Sequence, residues 1–375
     1  MMAGMIKGFA TPDGTEGYAR RMAPHISPGH FRLLEGCHAS SVGIGTYLGG
    51  EDSGTDAQYR DAIARALERG ANVIDTAVNY RHQRSERAVG EALGALVSTG
   101  ALRREEAIVA TKGGFIPFDG ALPADPNAYR AATYLQPGIL EPRDVVAGCH
   151  CMTPRYLRDQ LERSRQNLGL ETLDVYYIHN PEIQLGEIDH SEFLKRMRAA
   201  FAALEQAVAD GKIRRYGTAT WDGYRQLASA PDHLELAELV RAARDVGGDN
   251  HHFKVVQLPY NLAMTEAFTR ANQRLDNKTV PVLEAAERLG LYVMASASVY
   301  QGQLARNLPP VVGDLLPGLT TDAQRALQFV RSTPGIGTAL VGMKGAAHVE
   351  ENLELAAVPP VPWEQFQRLF SAAGR

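Results

Sequence analysis

Residues 71–80 read Ala-Asn-Val-Ile-Asp-Thr-Ala-Val-Asn-Tyr, and residues 85–93 read Ser-Glu-Arg-Ala-Val-Gly-Glu-Ala-Leu. The Val-Ile pair is typical of a short buried parallel strand, which would end at Asp75. Ser85 is predicted to cap the next helix, with a glutamate in the first turn, where the helix dipole favours an anion. Barrel enzymes hold their chemistry at this end of a strand, which makes Asp75 and Tyr80 candidate catalytic residues. The same residues also suit a capped loop with a surface tyrosine, so the rest of the chain must decide.

Composition limits the classes of protein. The chain has 375 residues, of which 45% are hydrophobic, and this suits one large α/β domain or two medium ones. The net charge is −4 and the pI about 6.3, so no nucleic-acid partner is expected. No apolar run approaches the roughly 20 residues of a membrane span, so no membrane partner is expected. Residues 1–23 lack the apolar core of a secretory signal.

The cysteines favour a reducing compartment. There are three of them, Cys37, Cys149 and Cys151, and an odd number argues against a disulfide framework and for a cytoplasmic protein. The run Cys149-His150-Cys151 has the residue types of a metal corner. It lacks a second ligand pair at zinc-site spacing, so we expect no metal.

The chain alternates between strand and helix patterns eight times. Predicted strands cover residues 41–45, 73–75, 107–112, 175–179, 213–219, 255–258, 291–295 and 338–341. Predicted helices cover residues 57–69, 85–96, 234–246, 279–288, 322–332 and 346–355, and two more begin at residues 153 and 191. Eight such units predict a closed (β/α)8 TIM barrel of the α/β class. The alternative is a doubly wound open sheet, but no G-x-G-x-x-G opens the first helix.

Two segments depart from the alternation. Residues 1–40 contain the turn signals Pro12-Asp13-Gly14 and Ser27-Pro28-Gly29, which predict an N-terminal hairpin or cap. Residues 113–152 form a connection of about 40 residues rich in Gly, Pro and aromatic side chains. That length is far beyond a usual βα loop and is typical of a functional segment, here a lid over the substrate. We expect a single domain over 1–375, with the barrel proper at about 41–356.

Four polar residues end or follow three consecutive predicted strands: Asp75, Tyr80, Lys112 and His179. Adjacent strands lie about 4.8 Å apart, so these side chains are expected to converge at the barrel mouth. A tyrosine is a poor acid at neutral pH, and a nearby ammonium is expected to favour its phenolate and so to lower its pKa toward neutral pH. Asp75 would hold Lys112, and His179 would donate to a carbonyl oxygen. This set suits protonation of an oxygen while a hydride reaches carbon.

The sequence at this point resembles the aldo-keto reductase family over about residues 41–356. The matching motifs are residues 72–77 with Tyr80, Ser85-Glu86, residues 90–93, Ala110-Thr111-Lys112, residues 173–181, residues 211–217, Val256-Gln257, and Gly342-Met-Lys344 with Glu351-Asn352. The resemblance implies a catalytic tetrad of Asp75, Tyr80, Lys112 and His179. It also implies NADP(H), with NAD(H) possible, extended across the barrel mouth without a Rossmann domain.

The resemblance further implies contacts to the cofactor. By carry-over Gln257 would bind the nicotinamide carboxamide and Lys344 the 2′-phosphate. The remaining carried-over positions are Glu351 and Asn352 at the adenine, and Gly302 and Leu304 in the loop over the pyrophosphate.

Several positions depart from the family pattern. The family pattern after the fifth strand is Gly-x-Ser-Asn, whereas residues 217–220 read Gly-Thr-Ala-Thr. Ala219 lacks the serine hydroxyl that would hold the nicotinamide carboxamide, and Thr220 offers a hydroxyl instead. Ser296 aligns with a tyrosine that commonly stacks on the nicotinamide. Gly345 and His348 stand where many members have serine and arginine near the 2′-phosphate. These departures make both NADPH and NADH candidate cofactors.

The substrate side is predicted from aromatic residues. Tyr47, Phe115 and Tyr300 would wall a pocket, and Asn180 follows the catalytic histidine where the family usually has Trp or Arg. Phe118, Tyr129 and Tyr134 would either join that wall or pack the long loop on itself. An aromatic wall suits a cyclic or apolar carbonyl compound.

The predicted function is NAD(P)H-dependent reduction of an aldehyde or ketone, with Tyr80 as general acid. One alternative is a redox-neutral dehydratase or isomerase on the same scaffold. Another is a regulatory cofactor-binding subunit, against which the complete tetrad argues. A metal-dependent barrel hydrolase is disfavoured, because no cluster of His and carboxylate residues stands at the strand ends.

Overall fold

A computed structural model describes residues 4–372. It begins with helix α1 (Pro12–Met22) and an antiparallel hairpin of β1 (Phe31–Leu34) and β2 (Cys37–Ser40). The predicted turn at Pro12-Asp13-Gly14 was wrong. Thr11 caps a helix there by accepting from the Gly14 N–H at 3.0 Å, and Pro12 suits the first helical position. The predicted N-terminal hairpin is present at residues 31–40.

From residue 42 onward the strands and helices follow in chain order. They are β3 (Val42–Gly45), α2 (Ser53–Glu68), β4 (Val73–Asp75), α3 (Arg84–Ser98), β5 (Ile108–Gly113), α4 (Pro126–Arg130), α5 (Pro154–Leu168), β6 (Leu173–His179), α6 (His190–Ala209), β7 (Ile213–Ala219), α7 (Leu236–Gly247), β8 (Phe253–Pro259), α8 (Glu266–Thr269), β9 (Ala271–Leu275), β10 (Lys278–Pro281), α9 (Val282–Arg288), β11 (Tyr292–Ser296), α10 (Pro310–Leu315), α11 (Asp322–Ser332), β12 (Ile336–Gly342), α12 (Ala346–Leu353), α13 (Trp363–Phe366) and α14 (Arg368–Ala372).

Eight parallel strands close into a barrel in the order β3-β4-β5-β6-β7-β8-β11-β12 and back to β3. This confirms the (β/α)8 prediction and excludes the open sheet. Pairing aligns Gly45 with Asp75 and His179 with Ala219, so the carboxyl ends of the strands meet at one rim. The barrel therefore gathers residues from distant parts of the chain at one mouth.

The core has two layers. One lies between the barrel and its surrounding helices, where residues such as Val89, Leu161 and Phe201 are fully buried. The other fills the inside of the barrel, and β2 contributes Cys37 and Ala39 to it. The N-terminal hairpin thus closes the end of the barrel opposite the mouth.

The predicted helix over 279–288 was wrong in its first part. Residues 271–281 form the β9–β10 hairpin, and α9 begins only at Val282. Asp276 and Asn277 both have positive φ, 50° and 60°, the conformation that tight hairpin turns require. The Asp-Asn pair followed by β-branched residues is the signal for this hairpin.

The long loop has its own small core. A π-helical turn (Ala131–Leu135) and a 3-10 turn (Pro142–Asp144) follow α4 in it. Ile116, Tyr134 and Cys151 are buried together against Tyr156 of α5. The segment is therefore packed onto the barrel.

Within residues 4–372, no helix is both long and apolar enough to cross a bilayer. The assignment of 1–375 to one domain stays a prediction, and its first and last three residues lie outside the described part.

Candidate active site

Three of the four predicted catalytic residues form a hydrogen-bonded group at the barrel mouth. The Lys112 ammonium lies 2.6 Å from Oδ2 of Asp75 and donates to Thr76 O at 2.9 Å and to the Tyr80 hydroxyl at 3.3 Å. Lys112 has no exposed surface and lies beneath the cavity rather than in its wall. Strands β4 and β5 bring the two charges together because Asp75 pairs with Ala110, two residues before Lys112.

Burial and charge act in opposite directions on this group. Burial raises the pKa of Tyr80 above its ordinary value, although the Lys112 ammonium opposes the rise. Burial alone would lower the pKa of Lys112, but the charges and hydrogen bonds of Asp75 and Tyr80 together raise it. The sequence-based expectation of a lowered tyrosine pKa was wrong, because burial outweighs the ammonium. Tyr80 is therefore a protonated phenol beside a permanent ammonium.

His179 completes the set from the end of β6. Its ring lies edge-on to that of Tyr80, with centroids 5.8 Å apart, and edge-on to that of Phe115 at 5.0 Å. Burial, the Lys112 charge and His150 hold its pKa well below the ordinary value. The imidazole is thus neutral at physiological pH, which suits a hydrogen-bond donor to a carbonyl oxygen.

The loop that carries Tyr80 is strained and tightly held. Arg81, His82 and Gln83 all have positive φ, between 48° and 73°. Such conformations cost free energy and persist only where surrounding contacts hold them. Arg81 is nearly buried and pairs with Asp56 of α2 at 2.6 Å, while Gln83 donates to Phe118 O at 2.8 Å. These contacts fix the backbone beside the candidate acid.

The start of α3 differs from the prediction. The helix begins at Arg84, its N-cap residue is Gln83, and Ser85 instead donates to Thr46 O at 2.7 Å. Glu86 is buried and accepts from Thr111 at 2.6 Å and from Asn167 at 2.8 Å. Both residues therefore tie α3 to neighbouring elements rather than capping the helix.

A cavity of about 950 Å³ opens above the catalytic group. Fourteen of the predicted site residues line it: Tyr47, Asp75, Tyr80, Phe115, His179, Asn180, Thr220, Gln257, Ser296, Gly302, Lys344, His348, Glu351 and Asn352. Residues from all eight strand ends or the loops that follow them thus surround one space. Tyr300 and Leu304 are not in its lining, although both lie in the same 3-10 segment (Tyr300–Ala305) as Gly302. Their predicted contacts find no support in this geometry.

The aromatic residues of the long loop divide into two groups. Phe115 lines the cavity. Phe118, Tyr129 and Tyr134 are outside the lining and contact one another, with ring centroids 5.5 Å apart for the first pair and 6.3 Å for the second. Tyr134 is buried against Tyr156, and Tyr129 and Phe118 pack outward from it in turn, which identifies the three as packing residues of the loop.

The lining also contains residues that were not predicted as site residues, and three of these are polar or aromatic side chains placed to contact a ligand. Trp221 follows β7 and keeps 40% of its surface exposed. Asn79 precedes Tyr80, and Arg306 follows the 300–305 segment as an exposed cation. The cationic character of Arg306 is a signal that the sequence offered, since a positive charge after a barrel strand suits a phosphate.

The cavity suits the cofactor that the resemblance implies. Among the lining residues, Lys344, His348 and Arg306 offer positive charge or hydrogen-bond donors, and Gln257 donates to Asp75 of the catalytic group. Oδ1 of Asn352 is buried and accepts no hydrogen bond within residues 4–372, so it can accept from an adenine amine. Among those same residues no cluster of three or more His, Cys, Asp or Glu side chains has metal-site geometry.

Comparison with known proteins gives the same architecture. The model of the aldo/keto reductase family matches residues 41–308. A 6-dehydroglucose reductase of Novosphingobium aromaticivorans is 28% identical over 199 residues, which is 52% of each chain. An NADH-specific methylglyoxal reductase of Escherichia coli is 28% identical over 192 residues, which is 49% of each chain. The matched region spans about half the length of both relatives.

A solved structure resembles nearly the whole chain. It is an aldo/keto reductase from Klebsiella pneumoniae in complex with NADP and acetate, 21% identical, with a TM-score of 0.60. The match covers 92% of this chain and 95% of that one. At this identity the likeness concerns the fold.

Proposed function

Since the chain belongs to the aldo/keto reductase family, we propose that it reduces an aldehyde or ketone to an alcohol with NADP(H) as hydride donor. When bound, the nicotinamide supplies a hydride to the carbonyl carbon. The contact that carries the proposal is the 3.3 Å hydrogen bond from Lys112 to the hydroxyl of Tyr80, directly beneath a cavity of about 950 Å³.

In this proposal Tyr80 is the general acid. Its raised pKa keeps the phenol protonated, and the Lys112 ammonium stabilises the phenolate that forms when the proton leaves. Asp75 holds the ammonium in place at 2.6 Å. The neutral His179 donates to the carbonyl oxygen and orients the substrate.

Cofactor recognition is proposed for the other residues of the cavity. Lys344 and Arg306 would pair with the 2′-phosphate, supported by their position in the lining and their positive charge. The remaining proposed contacts are Thr220, Gln257, Ser296 and Gly302 near the nicotinamide and pyrophosphate, with His348, Glu351 and Asn352 near the adenosine. NAD(H) remains a possible cofactor, and the Escherichia coli relative is named as NADH-specific.

The substrate wall is proposed to consist of Tyr47, Phe115, Asn180 and Trp221. Tyr47 packs against Tyr80 with centroids 5.0 Å apart, so the wall reaches the acid directly. Aromatic faces with one amide beside them suit a cyclic or apolar carbonyl compound.

The redox-neutral alternative has a specific observation in its favour. Ala219 and Ser296 both line the cavity, so a hydroxyl and an aromatic ring expected at the nicotinamide are missing. A stacked ring is worth about 1–3 kcal/mol by analogy with bases on aromatic side chains. These altered nicotinamide contacts differ from those of a typical hydride-transferring member, and they motivate the redox-neutral alternative.

One experiment separates these functions. NADPH and NADH are titrated separately into the protein while nicotinamide fluorescence is followed, and carbonyl compounds are then screened for NADPH oxidation. Stoichiometric oxidation with alcohol formation supports the reductase. Conversion of a substrate without net NADPH oxidation supports the redox-neutral enzyme, and binding without any conversion supports a regulatory subunit.

A reducing, cytoplasmic location is also proposed. Its support is that Cys37, Cys149 and Cys151 are all free thiols in the structure.

A further inference from the structure

A buried histidine from the long loop contacts the backbone of the candidate catalytic histidine. Nε2 of His150 lies 2.7 Å from the carbonyl oxygen of His179. His150 has no exposed surface, and its ring is edge-on to that of Phe115 at 5.4 Å. Phe115 in turn contacts the ring of His179. One side chain therefore touches both the strand end and the aromatic wall of the cavity.

The direction of the hydrogen bonds around His150 is determined by chemistry. A carbonyl oxygen only accepts, so Nε2 of His150 donates to His179. Nδ1 must then accept, and the amide of Gln184 donates to it at 2.9 Å. The carbonyl of that amide accepts from Arg196, which can only donate, at 2.7 Å. A chain of donors thus runs from α6 through Gln184 and His150 to His179.

This chain requires one protonation state. A proton on Nδ1 of His150 would face the donating amide of Gln184, and burial also disfavours the charged ring. Burial accordingly lowers the pKa of His150 to about 4. The imidazole is neutral and fixed as the Nε2–H tautomer, so its hydrogen bond to His179 persists throughout the physiological pH range.

The backbone around this contact leaves little freedom. Gly114 has φ of +146°, and a Cβ there would lie 2.8 Å from Nε2 of His150 and 2.9 Å from the His179 oxygen. Cys151 N donates to Gly114 O at 2.9 Å, which pairs the two ends of the long loop. Immediately after His179, Asn180 adopts positive φ of 46°. The hydrogen bond from His150 therefore meets the last residue of β6, directly before a left-handed backbone position.

We propose that His150 is a positioning residue, which holds the imidazole of His179 and the ring of Phe115 in place and so couples the 113–152 loop to the reaction site. The inference rests on the proposed function, because it gives the orientation of His179 a role in carbonyl reduction. His150 touches neither substrate nor cofactor in this scheme. The positioning role also gives the histidine of the Cys149-His150-Cys151 run a purpose other than metal binding, because both of its ring nitrogens make hydrogen bonds within the protein.

The test compares His150→Gln, which retains an amide donor, with His150→Leu, which removes it. Cys149→Ser in the same loop is the matched control. We expect His150→Leu to lower kcat by about 10- to 100-fold, on the scale of lost outer partners of functional histidines, while the NADPH dissociation constant stays within about twofold. His150→Gln should recover most of kcat. The acidic limb of the kcat/KM profile should move to higher pH in the leucine variant, because water reaches His179.

Spectroscopy gives a readout that does not need turnover. In 15N-histidine spectra of the wild type, His150 should appear as the Nε2–H tautomer, and the His179 signal should shift in His150→Leu but not in Cys149→Ser. If the wild type reduces no carbonyl compound, the proposed function fails while these signals still test the positioning. Should His150→Leu fail to fold, Gln184→Met, which removes only the donor to Nδ1, should produce a mixed tautomer and a smaller loss of kcat.

Two results would overturn the inference. One is a leucine variant with wild-type kcat, pH profile and His179 signal. The other is an equal loss in the glutamine and leucine variants together with weakened NADPH binding, which would mean that His150 only supports the fold.

Discussion

The side-chain amide of Gln257 donates a 2.8 Å hydrogen bond to Oδ1 of Asp75, although the two residues are 182 positions apart in the chain. The other carboxylate oxygen of Asp75 holds Lys112 at 2.6 Å. Both oxygens of the carboxylate are therefore occupied, and Asp75 acts as the counter-charge of the ammonium rather than as a base. The bond also connects the catalytic group to the proposed nicotinamide contact.

Replacement of Lys112 should remove both activity and stability. In Lys112→Met, Asp75 keeps its hydrogen bond from Gln257, but its buried carboxylate loses the positive charge that it pairs with. Such a loss typically lowers the free energy of unfolding by about 3–5 kcal/mol. The pKa of Tyr80 should rise further and turnover should fall by about 10²- to 10⁴-fold. Urea unfolding and steady-state kinetics measure the two effects. The exposed Lys195→Met is the control, and equal stability of the two variants would contradict the prediction.

Tyr80→Phe should separate chemistry from binding. The change keeps the ring contacts with Tyr47 and His179 but removes the only hydroxyl that Lys112 contacts among the described residues. We expect turnover to fall by about 10²- to 10⁴-fold, with the NADPH dissociation constant nearly unchanged. Tyr129→Phe in the long loop controls for loss of a hydroxyl. Turnover equal to the wild type would reject Tyr80 as the acid.

Phe115 should affect the KM for carbonyl substrates. Of the four loop aromatics considered, it is the one in the cavity wall, whereas Phe118 packs on Tyr129. Phe115→Leu should raise KM for cyclic carbonyl compounds by about tenfold, which corresponds to about 1.4 kcal/mol, and leave NADPH affinity alone. The matched variant Phe118→Leu should leave KM unchanged. If both changes act alike on KM, the lid role predicted for residues 113–152 is wrong.

Arg306 should contribute to the preference for NADPH over NADH. Loss of a charge-assisted hydrogen bond costs about 1.5–3 kcal/mol, so Arg306→Ala should weaken NADPH binding by roughly ten- to a hundredfold. NADH lacks the 2′-phosphate and should be little affected. His348→Arg should have the opposite effect at pH 8, because arginine stays fully charged there. Fluorescence titrations give the dissociation constants of both cofactors in each variant. Equal changes for NADH and NADPH would show that Arg306 and His348 do not contact the 2′-phosphate.

Glu182 should make stability depend on pH. Its Oε1 accepts from the N–H groups of Trp221, Asp222 and Gly223, while Oε2 is buried without a partner among residues 4–372. Burial raises the pKa of Glu182 from an ordinary value of 4.5 to about 7, although the backbone N–H donors favour the charged form and oppose the rise. Between these two values the folded protein binds more protons than the unfolded chain. The unfolding free energy therefore falls as pH rises from about 4.5 to 7, and by roughly 3 kcal/mol in total at about 1.4 kcal/mol per pH unit.

The variant Glu182→Gln keeps a carbonyl acceptor for the three N–H groups and removes the buried charge. It should be more stable than the wild type at pH 8 and similar to it near pH 4.5. Chemical denaturation at both pH values measures the difference, with the exposed Glu287→Gln as control. A constant difference between Glu182→Gln and the wild type at the two pH values would contradict the assignment.

The errors of sequence reasoning have a common physical origin. Helix 279–288 was predicted from apolar spacing, but Thr279, Val280 and Pro281 pair with β9 instead. Ser85 has the residue type of a helix cap, yet its hydroxyl binds Thr46 O from a different strand end. In both cases a contact with a distant segment outweighs the local preference.

The sequence by itself determined the alternation of strands and helices, and with it the barrel and the strand ends at Asp75, Lys112 and His179. These are local properties, since hydrophobic period and residue type act over a few neighbouring positions. Only the tertiary structure decided that Gln257 binds Asp75, that His150 contacts His179, that Phe115 rather than Phe118 faces the cavity, and that Arg306 joins its rim. These contacts join segments far apart in the chain, and closure of the barrel sets which of them meet.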